Sequence, residues 1–199
     1  MIKNLIFDFG QVLVRFNPYY MASRYAECES DARLLAEVVF DRMYWDRLDD
    51  GTISDKEVVR LSCERLPDRL HAVAEKIYYN WIYNLPPVEG MWELVRKLKE
   101  SGKYRLFLLS NISTYFADRA DEIPITSEFE LCVYSARVGA VKPDAKIFDL
   151  LCKSADVLPE ESLFIDDSQK NIKGAEHYGI KGYLFDGDAR KLSEYINNL

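Results

Sequence analysis

The sequence predicts an α/β fold: a doubly wound, Rossmann-like parallel sheet with an α-helical cap inserted after the first strand. Three observations predict it. Apolar runs of strand length recur at residues 2–7, 104–109, 162–165 and 182–185, without the strict alternation of a half-solvated strand, as in strands buried on both faces. Helical patterns separate the later runs, which is the order a parallel sheet requires. Residues 16–86 break that rhythm, with several helical segments and no strand.

The elements follow in order. The first run ends on Asp8 and Gly10. Asn17 and Pro18 open the first inserted helix as cap and first-turn proline. Asp49, Asp50 and Gly51 mark a turn, and Ser54 with Glu57 forms a capping box for the next helix. Pro86 and Pro87 stiffen the return, giving a core of residues 1–15 and 87–199 and a helical cap of residues 16–86 over the strand ends. Met91, Leu94, Val95 and Leu98 recur at helical spacing as far as Gly102, a carboxyl-terminal cap. Ile147, Phe148, Leu151 and Ala155 repeat the pattern, with Pro143 in the first turn. Each strand run ends on polar residues: Asp8, then Ser110 and Asn111, then Asp166 and Asp167, then Asp186. Doubly wound sheets bind their ligands beyond the carboxyl ends of the strands, where these residues fall.

Composition narrows the function. With 26 basic and 33 acidic residues and no basic block, the chain lacks the means to neutralise a nucleic-acid backbone, while a small anionic substrate remains open. No apolar run approaches the ~18 residues that span a bilayer. Cys28, Cys63, Cys132 and Cys152 form neither a metal-type pair nor a disulfide framework, and are read as reduced, buried thiols of a cytoplasmic protein.

Asp8, at the end of a buried strand, is the first candidate for chemistry, although an Asp there also serves to make a turn. Asp166 and Asp167 are the second, although with Ser168 they also suit a helix start. Side chains alternate along a strand, so one of the pair should face a ligand directly and the other support it. Parallel strands would bring Asp8 and Asp167 together, and two carboxylates ~4 Å apart repel by roughly 4 kcal/mol at an effective dielectric near 20. A hard divalent ion such as Mg²⁺, which keeps several waters and accepts a phosphate oxygen, would compensate. Lys142, in a loop just before a helix, is a second compensating cation.

These segments, taken together and in order, resemble the haloacid dehalogenase-like (HAD) hydrolases with an α-helical cap: residues 6–10 for the first motif, 109–111 for the second, Lys142 and Pro143 for the third, and residues 164–168 with Asn171 for the fourth. The resemblance implies that Asp8 is a nucleophile forming an aspartyl-phosphate. It implies that Ser110, Asn111 and Lys142 hold the phosphoryl oxygens. It implies Mg²⁺ on Asp8, the Gly10 carbonyl and Asp167, supported by Asp166 and Asn171, and a small phosphorylated metabolite as substrate.

Position 10 departs from the family pattern, whose phosphatases usually carry a second Asp there as general acid and base. Gly10 keeps the carbonyl and lacks the proton donor, a loss typically worth ~10²–10⁴ in rate. An acidic leaving group, such as an anomeric sugar hydroxyl, would tolerate it. A bacterial branch with Gly at this position, similar also around residues 51–54, includes α-D-glucose-1-phosphate phosphatases, so a sugar 1-phosphate is the expected substrate. Two other readings stand beside this one: a dehalogenase, which needs no metal, and a non-catalytic binder of phosphate ligands. Tyr78, Tyr79, Trp81 and Tyr83 are read first as core, and His71 and His177 as ordinary residues.

Overall fold

The computed structural model describes residues 1–199. Five parallel strands, β1 (Asn4–Phe7), β2 (Arg105–Ser110), β3 (Leu131–Tyr134), β4 (Ser162–Asp166) and β5 (Lys181–Leu184), form one sheet in the order β3-β2-β1-β4-β5. Four match the apolar runs of the sequence. The fifth, β3, is a four-residue strand at the sheet edge, and residues 131–134 are too short a run to stand out between the 3-10 turns that precede it and the helix that follows.

Period-two alternation divides the strand side chains between two cores. Leu5, Phe7, Leu106, Leu108, Leu163 and Ile165 face one side, and Ile6, Phe107, Leu109 and Phe164 the other, all at most 2% exposed. Burying each such side chain contributes about 1.5–3 kcal/mol, and the buried polar pair at the start of β1 and β4 is satisfied by Asn4 Nδ2 donating to Ser162 Oγ (3.2 Å).

The helices cover both faces. The chain passes through α1 (Pro18–Ser23), α2 (Glu29–Val39), α3 (Arg42–Asp49), α4 (Asp55–Glu64) and α5 (His71–Asn80) before α6 (Met91–Glu100). Two single turns, α7 (Thr114–Ala117) and α8 (Ser135–Val138), follow β2 and β3. The remaining helices are α9 (Ala145–Ala155), α10 (Gln169–Tyr178) and α11 (Ala189–Asn197). Helices α9 and α10 pack on the smaller core, whereas α6 and α11 share the larger one with α1–α5. None is long and apolar enough to cross a membrane.

Asn17 caps α1 by accepting from Tyr20 N, and Pro18 is its first residue. Ser54 caps α4 through Glu57 N, but the Glu57 carboxylate is held by Arg60, so only half of the capping box forms. The insertion leaves and rejoins the sheet at one crossing, where Arg15 N donates to Pro86 O (2.7 Å) and Val88 N to Leu13 O (3.0 Å).

Two sequence expectations need correction. Pro143 lies outside α9, which starts at Ala145, because Asp144 just before it is extended (φ −62°, ψ 135°) and is the N-cap residue of the helix. Of the four cysteines, which are all free, only Cys152 is buried; Cys28 is exposed at the start of α2 among polar neighbours, and the other two are half-buried.

Gly174 explains how α10 comes so close to Pro143. A Cβ at this position would lie 2.5 Å from Pro143 O and 2.6 Å from Pro143 Cβ. Gly174→Ala therefore forces α10 and the Lys142 loop apart, at an expected cost of about 1–3 kcal/mol in urea unfolding. An unchanged unfolding midpoint would show that this contact does not hold the loop.

Candidate active site

The β1–β4 register sets Phe7 beside Ile165, so the next residues, Asp8 and Asp166, emerge side by side at the carboxyl edge of the sheet. Asp8 N donates to Ile165 O (2.9 Å), which fixes the chain as it leaves the strand. One carboxylate oxygen from each of Asp8, Asp166 and Asp167 falls within 4.8 Å of the other two.

Lys142 enters from the loop before α9, its side chain 1% exposed, with Nζ 2.7 Å from Asp8 Oδ1 and 2.8 Å from Asp166 Oδ2. Asn111 holds it there. Lys142 N donates to Asn111 Oδ1 (2.7 Å), and Asn111 Nδ2 donates to Lys142 O (3.0 Å). Both ends of the Asn111 amide thus grip the lysine backbone, a use that the sequence does not reveal. Ser110, buried at the end of β2, is the adjacent residue.

Asp166 is fully buried and fully engaged. Ser168 N (2.8 Å) and Asn171 Nδ2 (3.1 Å) donate to Oδ1, while Lys142 Nζ and Asn171 Nδ2 (3.1 Å) donate to Oδ2. Asp167 stands on the exposed side of the turn. Of the adjacent pair, Asp167 has oxygens free for an ion, and Asp166 orients the lysine.

The electrostatics follow from burial. Desolvation pushes the Asp8 carboxyl up, to about 7, against the pull of Lys142. Burial works against the Lys142 charge, but Asp8 and Asp166 outweigh it and hold its pKa above the usual lysine value. Partial desolvation and the Asp166 charge raise Asp167. Three carboxylates facing one ammonium leave an excess of negative charge in oxygen donors. That set suits a hard dication such as Mg²⁺ and not a thiophilic metal.

Sequence reasoning missed two residues here. Ser135, fully buried at the start of α8, accepts from Ile112 N (2.9 Å) and donates to Asp49 O (2.5 Å), tying the end of α3 to the segment just past Asn111. Asp49 reads in the sequence only as part of a turn. Burial pushes its carboxyl up to about 7, Arg42 opposes the shift, and Asp46, Lys142 and Asp8 lie close enough for their charges to act on it.

Of the four aromatic residues read as core in the sequence, two are buried, and Tyr83 departs from that reading. Trp81 and Tyr78 are each 2% exposed, and Trp81 stacks on Phe116, which contacts Phe9. Tyr79 is half-buried against Tyr115, and Tyr83 is exposed and donates to Glu122.

Comparison with known proteins agrees with this architecture. A family model described as haloacid dehalogenase-like hydrolase matches residues 2–179. The chain is 24% identical over 193 residues to the D-ribitol-5-phosphate phosphatase of Bacteroides thetaiotaomicron, covering 92% of this chain and 91% of that one. It is 23% identical over 183 residues to a phosphorylated carbohydrates phosphatase of Thermotoga maritima, covering 90% and 83%. Among solved structures, a HAD-like family hydrolase from Porphyromonas gingivalis superposes with a TM-score of 0.72 at 25% identity, covering 100% and 98% of the two chains. A HAD family enzyme from Bacteroides thetaiotaomicron, in complex with magnesium and inorganic phosphate, shares the fold with a TM-score of 0.69 at 23% identity, covering 96% and 99%.

Proposed function

Because the chain belongs to the haloacid dehalogenase-like hydrolase family, we propose that it is a Mg²⁺-dependent phosphomonoesterase that forms an aspartyl-phosphate on Asp8. Its substrate is a small phosphorylated carbohydrate or polyol, the class named for its relatives in Bacteroides thetaiotaomicron and Thermotoga maritima.

The observation that carries this reading is the buried Lys142 ammonium between Asp8 and Asp166. It holds the Asp8 carboxylate still and offers positive charge where a phosphoryl group would arrive. Asp8, Asp167 and the Gly10 carbonyl would hold the ion, which when bound supplies charge to balance the carboxylates and the incoming phosphate. Asp8 attacks phosphorus in line with the ester oxygen, while Ser110, Lys142 and the backbone at Asn111 steady the transferring oxygens. Asp166 and Asn171 keep Lys142 and the turn in register. Residues 16–86 act as the cap, closing the site over the strand ends and excluding water. A non-catalytic binder has no use for a lysine clamped at both backbone atoms onto a buried nucleophile.

Among such esters, sugar 1-phosphates ask least of the enzyme, since the anomeric hydroxyl leaves without much protonation. In a phosphate-release screen with Mg²⁺ and Asp8→Asn as blank, glucose 1-phosphate is expected to exceed glucose 6-phosphate in kcat/KM by about tenfold. Equal values would remove the leaving-group preference. No release above the blank from any phosphorylated metabolite would overturn the phosphatase reading.

A further inference from the structure

Cleaving the phosphate ester of an ordinary alcohol expels an alkoxide, which needs a proton as the P–O bond breaks. Gly10 cannot supply it: a Cβ built there meets nothing within 4 Å, leaving open space beside Asp8. The other groups around Asp8 are committed. Lys142 is shared by two carboxylates, and Asp166 accepts four hydrogen bonds. Asp167 is the outer ligand for the ion in the function proposed above.

Asp49 is not committed. It is the last residue of α3, and the turn after it is locked by Thr52 N donating to both Arg47 O and Asp50 Oδ1, with Gly51 at φ 76°. Its backbone oxygen is pinned 2.5 Å from Ser135 Oγ, and the built Cβ of Gly51 would lie 3.4 Å from Ala136 O. The end of α3 is thus fastened over the segment that follows Ser110 and Asn111, and Ser135 also receives Ile112 N. Of the two cations on the same helix, Arg42 pairs with Asp46 at 2.5 Å and Arg47 makes no salt bridge to Asp49, so the Asp49 carboxyl is left without an ion-pair partner. The charged groups near enough to act on it are Arg42 and Asp46 on α3 and Lys142 and Asp8 at the sheet edge; on α8, Arg137 pairs with Asp118. Burial with these neighbours brings Asp49 to about 7, where one carboxyl can both give and take a proton at neutral pH.

We infer that Asp49, delivered by the helical insertion, is the general acid and base of this enzyme, doing what Gly10, which has no side chain, cannot do. The inference rests on the phosphatase reading above. In the first half-reaction, an Asp8 oxygen bonds to phosphorus and the bond from phosphorus to the ester oxygen breaks. That oxygen keeps the electron pair and takes the proton of the Asp49 carboxyl, leaving as the alcohol. In the second, the Asp49 carboxylate takes a proton from water and the water oxygen bonds to phosphorus. The bond from phosphorus to Asp8 breaks, which returns the Asp8 carboxylate, inorganic phosphate and a protonated Asp49. The enzyme therefore acts on esters of ordinary alcohols as well as on sugar 1-phosphates.

The test compares wild type with Asp49→Asn on nitrophenyl phosphate, glucose 1-phosphate and glucose 6-phosphate in Mg²⁺. For glucose 6-phosphate, kcat/KM should fall ~10²–10⁴-fold. For nitrophenyl phosphate, which needs no proton, kcat/KM should hold within about threefold while kcat falls, because water attack is common to every substrate. In wild type the alkaline limb near pH 7 for glucose 6-phosphate should vanish in the variant. Adding Gly10→Asp to Asp49→Asn should restore glucose 6-phosphate cleavage, since the space beside Asp8 is open. Equal losses of kcat/KM on all three esters, with no recovery from Gly10→Asp, would assign Asp49 a structural role and overturn the inference. An active wild type with an unimpaired Asn variant would overturn it too, leaving the phosphatase reading intact. A wild type that hydrolyses none of the esters would overturn both.

Discussion

Asp8→Asn is expected to abolish phosphate release, by on the order of 10⁴-fold or more in kcat, while leaving the fold intact. The amide has the shape of the carboxylate but neither its nucleophilic oxygen nor its charge. It offers Lys142 a neutral partner at the 2.7 Å position and gives an ion one anionic ligand fewer. Stability should not suffer. Burial already pushes the Asp8 carboxyl up to about 7, so at pH 8 without metal the folded state holds a charge that it disfavours, and a neutral amide removes it. The expected result is a Tm in EDTA at pH 8 no lower than that of wild type, with no phosphate release at any Mg²⁺ concentration. Retained turnover would place the nucleophile elsewhere.

Lys142→Met should damage both activity and stability. The methionine fills the volume but leaves Asp8 and Asp166 as buried carboxylates with no cation between them. Removing one partner from a buried ion pair typically costs about 3–5 kcal/mol, and removing one preorganised donor to a developing charge costs about 10²–10³ in kcat. The stability loss depends on pH in a definite direction. Asp8 is raised in the folded state, so the stability linked to its protonation is fully present below the ordinary carboxyl pKa and is lost as pH rises through the folded value. Without Lys142 that value moves higher still. Urea unfolding in EDTA should therefore show a penalty that is small near pH 4 and grows toward roughly pH 8. A penalty that does not change with pH would mean that the lysine stabilises by packing and not by charge.

Most of the sheet and the residues at its edge were legible because the strands of its interior are short apolar runs with polar residues directly behind them, as at Phe7 with Asp8 and Ile165 with Asp166. Parallel pairing then does what the sequence implies, bringing those ends together. Less legible were features made only by tertiary contact. The Asn111 clamp joins two backbone groups of Lys142 across 31 positions of sequence, and no local pattern encodes such a bond. Asp49 was hidden in a turn signal because its neighbours Asp50 and Gly51 do form a turn; only the Ser135 hydroxyl, 86 positions away, brings the end of α3 to the site. Strand β3 escaped because a four-residue edge strand has too few side chains to show a period. Cys28 was misjudged because cysteines are most often buried, while this one starts a helix between Glu27 and Glu29.

The most direct measurement is a crystal structure of the protein grown with Mg²⁺ and beryllofluoride, a mimic of the acyl-phosphate. The expected result is the beryllium bonded to an Asp8 carboxylate oxygen, the ion held by Asp8, the Gly10 carbonyl and Asp167, and the Lys142 ammonium turned to the fluorides. An unmodified Asp8 in saturating reagent, with the ion absent from the three acidic residues, would contradict the assignment of Asp8 as nucleophile.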